Sequence, residues 1–246
     1  ADHPMKHLDV IQHTSADYLG LMEDHLEGRR IGFRYIRPFT EKGEIPSLRE
    51  SGEGLILLGG GPWGTAGERD LPTLQEEIEL TRAFLSLNRP VIGIELGAQI
   101  LAIAAGGSSE AHPLAFTVGH ATREDPDALN GFLPERFPQV SYMRDRPVLP
   151  NGARTLAVDE AGAPAVFQIG DKAVGFTGHP GFKPAMGEDL VMEFEECPEN
   201  PGEALERLRP LVREIEDALV RTMTGLVQVT GLMIPGRRIP IDLKFV

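Results

Sequence analysis

Hydrophobic and polar positions follow two patterns along the chain. One is the continuous apolar run of a buried strand, and the other is the one-sided apolar spacing of an amphipathic helix. Continuous apolar runs such as 54-GLILLGG-60 and 90-PVIGI-94 indicate strands that are covered on both faces of a sheet. The segment 72-PTLQEEIELTRAFLSLN-88 has apolar residues along one side, a proline in its first turn and early acidic residues, which predicts a helix. The pattern therefore predicts alternating strands and helices, as in an open, mostly parallel α/β sheet with helices on both faces.

The same two patterns predict the remaining strands and helices. Strands are predicted at 7–13, 31–36, 153–160, 164–170 and 172–180, and helices at 17–28, 97–107, 187–196 and 201–233. The stretch 108–150 is expected to be irregular, and the late strands to form a small antiparallel patch with a two-residue hairpin turn at 170–171. Pro210 is expected to break or kink the last helix.

The character of the chain changes near residue 198. We predict an α/β domain over 1–198, followed over 199–246 by a C-terminal helix and an extended arm that packs on the domain or on a partner.

Composition narrows the possible functions. The net charge of −13 is spread along the chain and argues against a nucleic-acid binder and against docking on an anionic membrane. The single cysteine, Cys197, allows no intrachain disulfide, which fits a reducing compartment. We see neither the apolar core of a signal peptide nor a membrane-spanning run, so a cytoplasmic protein is expected.

Three strand ends carry candidate chemistry. The turn 59-GGGPWG-64 can aim backbone N–H groups at an anion, and 93-GIELGAQ-99 has the spacing of a strand-to-helix elbow with Glu95 at its apex. His179 follows the last predicted strand in 176-FTGHPG-181. Because sites in parallel sheets form at the carboxyl ends of the strands, these three segments are expected to meet.

In order and separation, the three segments resemble the class I glutamine amidotransferases, which use a Cys-His-Glu triad. The resemblance covers about residues 7–190 and implies that Gly60, Gly61, Trp63, Leu96 and Gln99 form the pocket and the oxyanion-like loop. Two positions depart from the family's pattern: Glu95 stands where the family has its nucleophilic cysteine, and Gly181 where it has the triad glutamate. Met143 and Arg144 also stand where the resemblance leads us to expect a histidine, which argues further against glutamine binding.

These departures argue against glutaminase activity. Attack on an amide to form a thioester requires a thiolate, and a carboxylate at the elbow would place negative charge beside the oxyanion hole. Cys197 is not a substitute, because it lies beyond His179 in an acidic, proline-containing segment.

Three interpretations of Glu95 and His179 stay open. They could face each other as a Glu–His pair, with the carboxylate also accepting hydrogen bonds from the former oxyanion N–H groups. Glu95 could act as a general base or nucleophile. The two could bind a metal with His120 or Asp145, although no compact ligand motif supports this. The prediction is no metal and no cofactor.

The expected function is that of a catalytically inactive amidotransferase-like subunit with a structural, assembly or regulatory role in a larger enzyme. The expected partner is a synthase, ligase or oxidoreductase subunit. Two alternatives remain: an enzyme of changed chemistry that uses Glu95 and His179 on a small amide, ester or amine-derived substrate, and a metabolite-sensing protein that binds a small molecule in the old pocket. The other histidines are expected to be structural or at the surface: His7, His13, His25, His112 and His120.

Overall fold

A computed structural model describes residues 6–233, and its first half alternates strands with helices as predicted. The elements are β1 (His7–Ile11), α1 (Met22–Glu27), β2 (Gly32–Ile36), β3 (Gly54–Leu57), α2 (Leu74–Ser86), β4 (Val91–Ile94) and α3 (Leu96–Ala104). The predicted helix over 17–28 begins only at Met22. Asp17 therefore lies in the loop that follows β1, which places it at the carboxyl edge of the sheet.

The second half contains more strand than the pattern indicated. Its strands are β5 (Ser108–Glu110), β6 (Ala115–Arg123), β7 (Arg136–Met143), β8 (Arg146–Val148), β9 (Arg154–Val158), β10 (Pro164–Ile169) and β11 (Ala173–Phe176). The prediction that 108–150 is irregular is wrong, because β6 and β7 pair as a long antiparallel ladder. The hairpin near residue 170 is confirmed, but Ile169 pairs with Ala173, so its loop has three residues and not two.

Four helical elements follow β11. They are α4 (Pro184–Glu193), α5 (Pro201–Leu208), a 3₁₀ turn (Arg209–Leu211) and α6 (Val212–Val229). The 3₁₀ turn contains Pro210, so the predicted break is confirmed; proline has no backbone N–H to continue the helical ladder. The arm predicted near the C-terminus falls on 234–246, which lies outside the described residues, and the division at residue 198 stays a proposal.

One large sheet organises the molecule, with strand order β2-β1-β3-β4-β11-β10-β9-β6-β7, while β5 and β8 form a separate ribbon. Neighbours from β2 to β11 are parallel, and neighbours from β11 to β7 are antiparallel. The predicted open α/β sheet is confirmed. Its antiparallel part is longer than expected because β6 and β7 extend it.

Helices cover both faces of the parallel strands, and alternate side chains of β3 and the residue after it show this directly. Leu55 and Leu57 are buried with apolar residues of α2 and α3, whereas Ile56 and Leu58 are buried with those of α1 and α6. A strand buried on both faces is apolar at every position, which explains the continuous run LILL. Within residues 6–233, no helix combines the length and the apolar character needed to cross a bilayer.

Candidate functional site

Glu95 occupies the apex of a sharp turn between β4 and α3. Its backbone is in a sparsely populated conformation, with φ of 55° and ψ of −113°. The glycines on either side are needed for close packing, since a Cβ on Gly97 would lie 2.0 Å from the Leu57 carbonyl oxygen and one on Gly93 would lie 2.4 Å from that of Gly97. The predicted elbow is therefore present, and its strain is retained although its apex is a glutamate.

The Glu95 carboxyl group points into the protein and is fully buried. Its Oε2 accepts a hydrogen bond of 2.6 Å from the Tyr142 backbone N–H. The interpretation that N–H groups of the oxyanion loop hold this carboxylate is therefore wrong, because the donor is the Tyr142 N–H of β7.

A second buried carboxyl group, that of Asp17, lies beside Glu95. A Cβ built on Gly59 would come within 2.2 Å of Asp17 Oδ2 and 2.7 Å of Glu95 Oε1, so both groups converge on this glycine. Neither the Asp17 oxygens nor Glu95 Oε1 find a hydrogen-bond donor in the described part of the chain. Two bare carboxylates can only accept, so a proton on one of them is what allows them to bond to each other.

Burial explains why that proton is retained. Desolvation is the largest effect on both groups; it raises the pKa of Asp17 to about 7, although His13 and Glu95 lower it. The pKa of Glu95 is raised well above its ordinary value by burial and by the charge of Asp17, against the opposing effect of the Tyr142 N–H. The two groups titrate as a pair that holds at least one proton near neutral pH.

The His179 ring forms hydrogen bonds with backbone groups and not with Glu95. Its Nε2 lies 2.6 Å from the Tyr18 carbonyl oxygen, and its Nδ1 accepts the Gly181 N–H at 3.0 Å. These partners require the neutral ring with its proton on Nε2, and burial lowers the pKa of His179 to about 4. In the described range no hydrogen bond or ion pair joins Glu95 to His179, so the expected Glu–His pair is wrong; the nearest carboxylate oxygen to the ring is Asp17 Oδ1, at 3.8 Å from Nε2.

Gly181 leaves no room for the family's glutamate. A Cβ at this position would lie 2.7 Å from the Leu19 carbonyl oxygen and 2.8 Å from Met22 Cγ. The Leu21 N–H also bonds to the Gly181 carbonyl oxygen at 3.0 Å. The loop after β1 therefore occupies the space that the Cβ of a glutamate at position 181 would need.

A buried ion pair lies on the other side of Asp17. His13 Nε2 is 2.5 Å from Glu77 Oε1, and both side chains are fully buried. Burial alone lowers the pKa of His13, but Glu77, the Gly59 carbonyl and Asp17 together raise it, which favours the imidazolium. His13 is thus buried and not at the surface, and its structural role stays a prediction. The sequence does not identify its partner Glu77, because in helix α2 this residue has the appearance of an ordinary first-turn acid.

The predicted oxyanion-like loop is present but is packed against side chains. Gly60 faces Leu96, and Gly61, at φ of +56°, faces the ring of Phe194, which follows α4. Trp63 lies beneath the Arg69 guanidinium, whose carbon is 5.0 Å from the ring centroid. Gln99 is buried, accepts the Thr65 hydroxyl at 2.6 Å and donates to the Arg144 carbonyl at 2.7 Å.

Arg144 ties this loop to the segment after α4. Its Nε donates to the Pro62 carbonyl oxygen at 2.8 Å, and its guanidinium forms ion pairs with Glu196 and, at 3.7 Å, with Glu68. Arg69 also pairs with Glu196, at 2.5 Å. Only 4% of the Arg144 side chain is exposed. In place of the expected histidine, this position therefore holds a buried guanidinium that is bonded to the 59–64 loop.

The remaining sequence candidates have partners other than Glu95. His120 Nε2 contacts Glu214 at 2.9 Å, and Asp145 accepts backbone N–H groups of Thr65, Ala66 and His112. Across residues 6–233, no three His, Cys, Asp or Glu side chains gather as a metal site would require. The Cys197 thiol is exposed, and the carbonyl oxygens of Val191 and Phe194 are its neighbours.

Comparison with known proteins identifies the family of this chain. The family model described as "Glutamine amidotransferase class-I" matches residues 25–190. The chain belongs to that family. Its amidotransferase fold is similar to a glutamine amidotransferase of Thermotoga maritima, at 26% identity and a TM-score of 0.75 over 93% of this chain and 99% of that one.

Two further solved structures extend the likeness. A glutamine amidotransferase of Methylobacillus flagellatus is 25% identical, with a TM-score of 0.72 over 91% of this chain and 96% of that one. A candidate GMP synthase subunit from Thermoplasma acidophilum is 18% identical, with a TM-score of 0.56 over 87% and 100% of the two chains; this likeness concerns the fold alone. No curated protein sequence matched the chain.

Proposed function

We propose that this amidotransferase-family chain is catalytically inactive toward glutamine and serves as a structural, assembly or regulatory subunit of a larger enzyme. The observation that carries the proposal is the buried Glu95 at the nucleophile position. A thiolate there would attack an amide, whereas a carboxyl group that shares a proton with Asp17 is both a poor nucleophile and shielded from substrate.

Three surrounding features support the loss of chemistry. His179 has both ring nitrogens occupied by backbone groups and is neutral. Gly181 has no space for an orienting acid. Phe194 packs against Gly61 of the oxyanion-like loop, and Arg144, which pairs with Glu196, donates to the Pro62 carbonyl of the same loop. Acyl transfer needs a nucleophile, a base within reach of it and open oxyanion donors, and these contacts support the proposal that the chain lacks that combination.

The partner we propose is a synthase, ligase or oxidoreductase subunit. Amidotransferase domains of this family typically work bound to a synthase or a ligase. A domain that has lost its glutaminase activity can be kept for its structural contact with such a partner. The C-terminal part, 199–246, is the segment we assign to packing on the domain or on that partner.

The alternative is an enzyme of changed chemistry centred on Glu95. The paired carboxyls Asp17 and Glu95 are the observation in its favour, because a proton-sharing pair is a familiar acid–base device. Complete burial of both weighs against it, since a catalytic group must reach the reacting atoms.

The test is made on the natural assembly and on the isolated chain. Glutamine hydrolysis, followed as glutamate release, is expected to be at the uncatalysed background for the isolated chain and unchanged by its addition to the partner. Native mass spectrometry of the assembly is expected to show the chain in a fixed stoichiometry with a larger subunit. The Glu95→Gln variant is expected to leave the assembly's activity intact; loss of that activity in a folded, assembled variant would favour the alternative enzyme.

A further inference from the structure

A cavity of about 490 Å³ lies away from the elbow, on the outer face of the β6–β7 hairpin. Thr117 and Gly119 of β6 and Gln139 and Ser141 of β7 form its floor, as two cross-strand pairs. The intervening residues of both strands, including Val118 and Val140, face the opposite core. The volume is within the range of about 300–1,000 Å³ that small-molecule sites occupy.

Part of the lining is polar, buried and internally hydrogen-bonded: Gln139 and Ser141 of the floor, and Thr177 beside them. Gln139, Ser141 and Thr177 are each 5–7% exposed. Gln139 Nε2 donates to Thr177 Oγ1 at 2.9 Å, and Ser141 Oγ donates to the Thr177 carbonyl at 2.8 Å. These bonds hold the floor in one arrangement before any ligand arrives, which lowers the cost of binding.

One wall supplies a cation that has no carboxylate partner in the part of the chain that the structure describes. Arg146, in β8, is half-buried and donates to the Asp145 carbonyl oxygen at 3.1 Å. No carboxylate within residues 6–233 lies within 4.0 Å of its guanidinium, and burial lowers its pKa although Asp159 and Asp145 raise it. A guanidinium in this position favours a planar anion such as a carboxylate, which it can bind in a bidentate manner.

The turn between β9 and β10 supplies the opposite charge. Asp159 and Glu160 line the cavity there, and Glu110 lines it beside Arg146. Asp159 Oδ1 accepts the N–H groups of Ala161 and Ala163, and Glu160 Oε1 accepts that of His120, so both carboxylates are fixed by the backbone. Gly119 permits this approach, since a Cβ on it would lie 2.8 Å from Glu160 Oε1.

From this arrangement we propose that the cavity binds a small zwitterion, with its carboxylate on Arg146 and its ammonium group toward Asp159 and Glu160. A simple anion would pair with Arg146 but would be repelled by the three carboxylates of the cavity. A simple cation would pair with a carboxylate but leave the guanidinium unpaired, whereas a molecule with both charges can pair with both. The site is separate from the elbow: Glu95, Leu96 and the 59–64 loop do not line it.

Five probes test the charge pattern. They are glycylglycine and β-alanine, which carry both charges at two separations; N-acetylglycylglycine and glycylglycine amide, which lack the ammonium and the carboxylate respectively; and inorganic phosphate. Titration calorimetry on the purified chain is expected to give binding of at least one zwitterion with Kd of about 1 mM or below. Each blocked peptide and phosphate is expected to bind at least tenfold more weakly.

Matched variants locate the binding. Arg146→Gln and Asp159→Asn are each expected to weaken the zwitterion at least tenfold, and the asparagine oxygen can still accept the two turn N–H groups. Arg154→Gln removes an exposed arginine outside the cavity and is expected to change nothing. The proposal is overturned if neither zwitterion binds, if a blocked peptide or phosphate binds as well as the zwitterions, or if Arg154→Gln weakens binding as much as Arg146→Gln does. The result does not depend on whether glutamine is hydrolysed, so it stands apart from the proposed function.

Discussion

Asp17 and Glu95 come from loops after different strands, yet their carboxyl groups meet beneath Gly59 with no exposure to solvent. Fully ionised, the pair would place two negative charges in a medium where each costs several kcal/mol. With one proton between them, the pair becomes a donor and an acceptor. The stability of the protein is therefore linked to that proton.

Stability is expected to fall as the pH rises. Asp17 and Glu95 have raised pKa values in the folded protein, so the folded state binds protons that the unfolded state releases above pH 4. His179, with its lowered pKa, acts in the opposite sense, but only below about 6.5, where the unfolded histidine gains a proton. The clearest window is thus pH 6.5 to 8, where the folded state retains the proton of the Asp17–Glu95 pair and, because its pKa is also raised, that of His13. Each proton retained only by the folded state lowers the free energy of unfolding by about 1.4 kcal/mol per pH unit as the pH rises.

Urea unfolding at several pH values measures this slope. The Glu188→Gln variant removes an exposed carboxylate and is expected to keep the wild-type slope. A free energy of unfolding that is flat or rising between pH 6.5 and 8 would contradict the shared proton.

Glu95→Gln is expected to stabilise the protein at high pH. The amide oxygen can accept the Tyr142 N–H, and the amide NH₂ can donate to Asp17 without any proton from solvent. We expect a gain of about 1–2 kcal/mol in the free energy of unfolding at pH 8, which shrinks toward zero at pH 5. Asp17→Asn is the reciprocal variant and is expected to behave in the same way. A loss of stability at both pH values would mean that the pair is not held by a shared proton.

The elbow could be predicted from the sequence because its signals are local. Gly93 and Gly97 flank Glu95 at the spacing that lets a helix begin directly above a strand, and the apolar run before them identifies the strand. The parallel core followed from similar short-range patterns. The β6 strand was missed because a hairpin with a polar cavity on one face lacks the continuous apolar run that marked the other strands.

Asp17 and Arg144 could not be predicted in the same way, because their roles depend on contacts between distant segments. Asp17 had the appearance of a helix start, and only the early end of β1 and the late start of α1 place it beside Glu95. For Arg144, the sequence shows only that an expected histidine is absent, and it does not indicate what the arginine contacts. Its ion pair with Glu196 joins residues 52 positions apart.

Restoring the thiol alone is not expected to restore glutaminase activity. In Glu95→Cys, the sulfur would have Asp17 beside it and a neutral His179 whose Nε2 proton is already donated to Tyr18. A nearby carboxylate raises the pKa of a thiol, which lowers the thiolate fraction. Glutamate release is therefore expected to stay at background. A titration of the unfolded variant is the control and should count one more free thiol than the wild type; turnover above background would show that His179 can still act as the base.

Gly181→Glu, which reinstates the family's residue, is expected to destabilise the fold. Its Cβ would lie 2.7 Å from the Leu19 carbonyl oxygen and 2.8 Å from Met22 Cγ, so the loop after β1 must move away. Overpacking of this kind costs about 1–3 kcal/mol, and a carboxylate forced into the buried site adds to the cost. At Gly202, in the first turn of α5, the Cβ of the same substitution would meet no atom of residues 6–233 within 4 Å. This variant is expected to be neutral or slightly stabilising. Thermal unfolding of the two variants compares them directly, and equal melting temperatures would mean that the loop yields without cost and that the triad position is still open.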